Sequence, residues 1–464
     1  MKGRIALLFL LTLLLAGTVY VAVSISGGLL PTTVTLETSS TTCISPTGTG
    51  EDNTGTAGSD PTTGAVKTTA EITNPTTSDE PDPTTGSETG YRVVSFFGMG
   101  DDIIHKNVIN EASKRMGGTS TDFSKGFDFA PAYAAIAQYV KKADIAFVNQ
   151  ETTVCGDETK EPSGYPLFNT PRALGDTLVD LGFNVINMAH NHMCDMGASG
   201  LSNSLDYWRT KKGVTAIGVY KNEQEYKNLS IITKNGIKIA FLSYSTFTNV
   251  LPKDNSVYIP LSSNMTTLQE LTTEQIAAYK TEITAQIKSA REKADCVIVS
   301  MHWGQEDQYY ENDSQKEIAQ AIVDAGADVI LGTHPHVLQD MKWKTRPDGG
   351  KTLICYSLGN TISTMHYLRN MLAGFVTFDI TKDGDKAVEI KNVVFTPTMN
   401  YYEQAVKETE LRYNIHLMLF KDFTIDNLKK HGSILYQGIT NVQKEWDTLV
   451  KNISDHIPDS FIKN

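Results

Sequence analysis

The stretch 296–337 constrains this chain most, because it reads as strand, helix, strand with a histidine at or just beyond the end of each strand. Residues 296–300 form an apolar run too short for a helix, the pattern of a buried parallel strand that gives way to a loop at His302. Ser314, with Glu317 three residues on, is the expected helix start. Ile318, Ala319, Ile322 and Val323 then fall on one face, and Gly326 ends the helix. A second apolar run, 329–331, leads into Gly332-Thr333-His334-Pro335-His336. In an extended chain His334 and His336 point to the same side, and two imidazoles so placed suit a divalent metal. The plain alternative is a pair of polar loop residues and a core histidine, so the rest of the chain has to decide.

Three further strand ends carry the same kind of side chain. Residues 92–97 end in Gly98-Met99-Gly100-Asp101, where a carboxylate follows a glycine turn. Residues 145–148 form an apolar run followed by Asn149-Gln150-Glu151. Residues 185–188 end in Ala189-His190-Asn191-His192-Met193-Cys194-Asp195, and a helix is expected from Ser199 with Leu201, Leu205 and Trp208 on one side. Each has an ordinary reading as turn chemistry, a helix cap or a salt bridge. Asp101, Glu151, Asn191 with His192, and His302 with His334 and His336 together make a metal-dependent site the working expectation.

The ends of the chain are of a different kind. Lys2 and Arg4 precede an uncharged, mostly apolar stretch, 5–25, long enough to span a bilayer as a helix with the following chain outside. Residues 1–30 are therefore read as a membrane anchor, which places a single-pass protein in the cell membrane with its folded domain extracellular. A cleaved signal peptide and secretion are the rival, because Ala22-Val23-Ser24 is a small-x-small site. Residues 31–90 are Thr, Ser, Pro, Gly and Glu with hardly an aromatic residue, the composition of a disordered tether. Cys43, Cys155, Cys194, Cys296 and Cys355 have no paired spacing and are expected as free thiols. A net charge of -12 without a basic run excludes the electrostatic footprint of a nucleic-acid binder.

Residues 91–400 are expected to form the folded domain. Thr170 with Pro171 should start a helix running to Leu181, residues 246–271 form a long polar loop expected to act as a lid or substrate wall, and 273–293 should be an amphipathic helix. Strands at 337–344, 352–357, 375–380 and 388–395 should build a second sheet, and 401–464 reads as a helical C-terminal extension. Glu306 and Tyr309 are candidates for contacts behind the site or with substrate. The chain has no internal repeat, no phosphate-cradling glycine loop and no Gly-x-Ser-x-Gly elbow, so Ser357 is not read as a nucleophile.

The block Asn191-His192-x-x-Asp195-x-Gly197, the block His302-Trp303-Gly304-x-Glu306, the run from Asp324 to His336, the loop 164–169 and Ser357-Leu358-Gly359-Asn360 together resemble the CapA family over roughly 92–397. These are the bacterial poly-γ-glutamate capsule proteins, whose domain is similar to calcineurin-like metallophosphoesterases. The resemblance implies an α/β fold, a four-layer α/β/β/α sandwich, with two divalent metal ions, manganese, iron or zinc, along one edge. On that pattern Asp101 binds the first metal, Glu151 bridges and Asn191 binds the second. His302, His334 and His336 complete the set, and His192 donates a proton to the leaving group. The chain departs from the phosphoesterase pattern where Asp101 lacks a histidine two residues on, with His105 as the candidate stand-in, and where Glu151 replaces an aspartate. It departs from the capsule family at His190, Gln150 and Thr361, where Asn, Leu and Phe are usual.

The expected function is a surface-anchored capsule-biosynthesis protein with a two-metal hydrolase-type site. It would act on an anionic polymer or a phosphoester, with a membrane capsule-synthesis complex as partner and no nucleic acid. The alternatives are a phosphoesterase or nucleotidase-like hydrolase unrelated to capsule, and an assembly protein that holds the polymer without turning it over.

Overall fold

The computed structural model describes residues 12–15, 18–21, 90–261, 265–267, 270–405 and 411–462. The chain divides into two compact units, 1–82 and 83–464. In the first, β1 (Thr12–Leu15) and β2 (Thr18–Val21) pair antiparallel with Thr12 opposite Val21. The expected membrane helix is thus not present where its segment is described. No helix among the described residues is long and apolar enough to cross a membrane. The rest of the expected anchor, and the expected tether up to residue 89, lie outside the described residues.

The second unit begins with β3 (Tyr91–Asp102), α1 (Lys106–Arg115), α2 (Ala137–Val140), β4 (Ile145–Asn149), α3 (Arg172–Leu181), β5 (Val185–Asn187), α4 (Gly197–Arg209) and β6 (Thr215–Ile217). It continues through α5 (Glu223–Lys227), β7 (Ser230–Lys234), β8 (Ile237–Ser245), α6 (Thr273–Arg291), β9 (Cys296–His302), α7 (Asp313–Ala325) and β10 (Val329–Thr333). The strands β11 (Met341–Thr345), β12 (Lys351–Cys355), β13 (Asn360–Ile362), β14 (Leu372–Asp383), β15 (Glu389–Gln404) and β16 (Arg412–Leu419) follow, and then α8 (Ile425–Lys430), α9 (Gly432–Gln437) and α10 (Val442–His456).

Two sheets result. One runs β11-β12-β10-β9-β8-β7, with β8, β9, β10 and β12 mutually parallel. The other runs β16-β15-β14-β3-β4-β5-β6, with β3 to β6 parallel and β13 alongside β3. The strands after His336 therefore do not form one sheet as expected. β11 and β12 extend the sheet of β10, whereas β14 pairs antiparallel with β3, from Phe375 opposite Met99 to Asp383 opposite Tyr91.

Strand alternation sorts the core. Ile239 and Phe241 of β8, Cys296 and Ile298 of β9, and Val329 and Leu331 of β10 share one cluster with Phe97 of β3 and Phe375 of β14. The alternate residues, Ala240, Leu242, Val297, Val299 and Ile330, share a second cluster with Tyr279, Ile283 and Ile287 of α6 and Ile318, Ile322 and Val323 of α7. Leu174 and Leu178 of α3 and Leu201, Leu205 and Trp208 of α4 join the first cluster.

Two helix starts differ from expectation. α7 is capped by Asn312, whose side chain accepts from Gln315 N while Gln315 returns a bond to Asn312 N, so Gln315 displaces the Ser314–Glu317 pairing. Pro171 sits at the N-cap of α3, and Thr170 Oγ1 instead lies 2.8 Å from Thr152 Oγ1. The segment after 400 is not helical throughout, since β15 runs on to Gln404 and β16 adds an edge strand. Ile415, Leu417 and Leu419 are buried at a period of two, which is a strand pattern.

Candidate metal centre

The carboxyl ends of β3, β4, β5, β9 and β10 bring the expected side chains together. Asp101, Glu151, His302 and His334 are fully buried, Asn191 is 1% exposed and His336 4%. Two overlapping groups have ligand atoms within 4.8 Å of one another: Asp101, Glu151 and His302, and Glu151, His334 and His336. Glu151 belongs to both. His302 Nε2 lies 3.8 Å and His336 Nε2 3.6 Å from Glu151 Oε1. Asn191 Oδ1 reaches the same place, 3.0 Å from His302 Nε2.

Both carboxylate oxygens of Glu151 and both ring nitrogens of His334 are buried with no hydrogen-bond partner. An unpaired buried carboxylate costs several kcal/mol, and burial followed by the neighbouring Asp101 charge pushes Glu151 well above the usual carboxylate range. Burial likewise holds His334 and His302 well below the ordinary imidazole value. For His336 burial lowers the value but the Asp101 contact outweighs it, so the ring is raised. Imidazoles, two carboxylates and an amide oxygen converging on one place, with Glu151 and His334 left unpartnered, are the donor set of a divalent cation site.

The backbone is bent to make this set. His334 and His336 take positive φ, +97° and +58°, which L-residues avoid. Asp101 holds the turn by accepting His334 N at 3.0 Å, and Asp307, itself at φ +67°, donates its N–H to Pro335 O at 2.9 Å. Asp307 in turn accepts from Asn370 at 2.6 Å and Arg369 at 2.9 Å.

His192 stands beside the cluster, with Nδ1 2.8 Å from Asp195 Oδ2 and its ring edge-on to Phe168 at 4.7 Å. The long loop after β8 walls this side: Asn249 N and Thr248 Oγ1 both donate to Asn191 O, and Asn249 Nδ2 lies 3.3 Å from His192 Nε2. His105 enters neither ligand group; its Nδ1 accepts from Thr364 N at 3.3 Å.

Several residues of the site were not singled out from sequence. Ser243 donates to Asn187, Asn187 to Asn149 at 2.7 Å, and Asn149 to Asp101 at 2.7 Å, a buried chain that crosses from one sheet to the other. Asn360 Oδ1 and Thr333 Oγ1 lie 3.0 Å from the Nδ1 atoms of His336 and His302. Ligating imidazoles are commonly oriented through their second nitrogen in this way. The available signal was an asparagine as the last residue of two buried strands, β4 and β5, where an apolar residue is usual.

The chain is 30% identical over 225 residues to the PGA biosynthesis protein CapA of Bacillus subtilis (strain 168), covering 46% of this chain and 51% of that one. It is 28% identical over 211 residues to the capsule biosynthesis protein CapA of Bacillus anthracis, covering 46% and 47%. The chain thus spans about half the length of the curated relatives it matches. Among solved structures, the NAD nucleotidase NadN of Haemophilus influenzae aligns over 77% of this chain and 61% of that one, with 12% identity and a TM-score of 0.34, too loose to carry an assignment. Residues 95–365, more than half of the 464, match the family described as bacterial capsule synthesis protein PGA_cap. The chain belongs to that family.

Proposed function

We propose that this chain is a capsule-biosynthesis protein carrying a two-metal hydrolase-type site that acts on an anionic polymer of the poly-γ-glutamate kind. The observation that carries the reading is the pair of buried, unpartnered groups, Glu151 and His334, inside a ring of further ligands. On this reading Asp101, Glu151, Asn191, His302, His334 and His336 would hold two divalent cations, with Glu151 common to both ligand groups. The two sheets with their flanking helices are then the four-layer sandwich of calcineurin-like enzymes. Manganese, iron or zinc each suit the donor set.

Bound cations supply Lewis-acid chemistry at the scissile centre. The chain's own groups do the rest. The strained turn at 334–336 fixes two imidazoles before any ligand arrives. Asp195 accepts at His192 Nδ1 and fixes that ring, leaving Nε2 as the nitrogen that hands a proton to a departing oxygen or nitrogen. Phe168 and the loop after β8 keep water from the far side of the ring. The apolar stretch at 5–25 supports a membrane-anchored protein with this domain outside the cell, next to the partners that make the polymer.

Metal content per chain of the full protein, dialysed against metal-free buffer, tests the reading. About two divalent ions in the wild type, and fewer in Glu151→Gln and His334→Ala, are expected. No uptake of manganese, iron or zinc by the wild type would sink it. Metal binding without turnover of γ-glutamyl amides or phosphoesters would leave a protein that holds polymer for assembly.

A further inference from the structure

An open cavity of about 560 Å³ is lined in part by Asp195, the residue that faces His192 Nδ1. Its walls include Tyr165, Leu167 and Met196, with Lys106 and Lys160 among its lining and Asp195 at its inner side. Asp195 Oδ2 is the atom that faces His192 Nδ1, and it also accepts from Phe168 N at 2.8 Å, so the cavity wall and the His192 ring are fixed by one carboxylate. The Tyr165 ring stands edge-on to His192 at 6.4 Å while remaining 73% exposed, and Leu167 is 47% exposed. Two large apolar side chains uncovered on one short loop, next to a titratable ring, are unusual unless something covers them.

The loop cannot drift from this position. A Cβ on Gly164 would lie 2.4 Å from Lys106 N, so the loop backbone rests directly on the first residue of α1. Lys106 Nζ donates to Pro162 O at 2.8 Å and lies 4.5 Å from the Phe123 ring centroid. An ammonium has three N–H groups, so that bond leaves donors to spare. Lys160, 66% exposed, pairs with Asp157 at 2.9 Å.

We infer that this cavity is the subsite for the part of the substrate that leaves from the His192 side, and that it takes a short aliphatic stem ending in a carboxylate. The stem lies along Tyr165, Leu167 and Met196, and the carboxylate meets Lys106 and Lys160. The inference rests on the proposed role of His192. It adds which residues select the departing group, and no residue of the ligand set takes part.

Calorimetric titration of the full chain with glutarate, a five-carbon dicarboxylate, tests this, with its uncharged diamide as control and a chelator present throughout. The chelator separates this test from the metal reading, because carboxylate binding to cations is abolished. Glutarate is expected to bind, the diamide to bind at least about tenfold more weakly, and Tyr165→Ala and Lys160→Met each to weaken glutarate by about five- to tenfold. Both side chains are largely exposed, so the variants should keep the wild-type melting temperature. Equal binding of glutarate and diamide, unchanged binding in both variants, or no binding at tens of millimolar would each overturn the assignment.

Discussion

Asp101 Oδ2 accepts the backbone N–H of His334 at 3.0 Å, across 233 residues of chain, and the same carboxylate faces His336 Nδ1 at 3.2 Å. One side chain therefore offers an oxygen to the site and holds the left-handed turn that aims both imidazoles. The two jobs can be separated. Asp101→Asn keeps one oxygen for the His334 N–H but removes the charge and turns an amide nitrogen toward Asn149 Nδ2, so it should lose metal and part of the stability. Asp101→Ala should lose metal and also about 2–4 kcal/mol, because the His334 N–H and the Asn149 amide are both left without their acceptor. Urea unfolding with and without manganese reads both effects; equal destabilisation by the two variants would show that the hydrogen bond does not hold the turn.

The buried chain Ser243–Asn187–Asn149–Asp101 ties the two sheets at the site. Asn187 donates to Asn149 Oδ1 and to Ala189 O, and accepts from Ala189 N at 3.2 Å. Asn187→Leu fits the volume but strands these partners, and should cost about 2–4 kcal/mol in urea unfolding. Adding Ser243→Ala removes one stranded group, so the double variant should recover part of the loss. Strict additivity of the two changes would speak against a linked chain.

The candidate ligand positions were legible because each lies at or just after the end of a buried parallel strand, and strands that end together carry their next residues to one edge. Asp101, Glu151, Asn191, His302, His334 and His336 all arrive there. The supporting residues were not legible, because an asparagine inside an apolar run has no period to betray it: Asn149 and Asn187 gain meaning only when β4 and β5 lie side by side. Sheet membership failed for a related reason. The alternation in β11, β12, β14 and β15 gives strand and face, while the partner is set by long-range register. Residues 401–464 read as one helical extension, although Ile415, Leu417 and Leu419 of β16 alternate cleanly.

Two glycines make the site's strand ends possible. A Cβ on Gly100 would lie 2.0 Å from Gly359 O, and one on Gly332 would lie 2.0 Å from Tyr356 O. Both neighbours are backbone, held by Asp101 N donating to Gly359 O and by the pairing of β10 with β12. Gly100→Ala and Gly332→Ala should each cost more than about 3 kcal/mol and depress metal uptake. Soluble variants with wild-type unfolding curves would contradict the close approach.

His431 gives the chain a pH dependence outside the candidate ligand set. Its Nε2 donates to Asn400 O at 2.8 Å and its Nδ1 accepts from Ser433 N at 3.1 Å, so both nitrogens are satisfied by the neutral ring. Protonation would break the second bond and bury a charge, and burial accordingly lowers this imidazole from 6.5 to about 4. Between those values the unfolded chain binds a proton that the folded chain refuses. The contribution is therefore complete above pH 6.5 and is lost progressively as pH falls through about 4, amounting to roughly 3 kcal/mol. His431→Gln removes this titration together with some baseline stability. The stability gap between wild type and variant, taken from urea unfolding at neutral pH and down to about pH 4, should shrink by that amount, since every other titrating group is common to both. A gap that stays constant across the range would show that His431 is not held neutral in the folded protein.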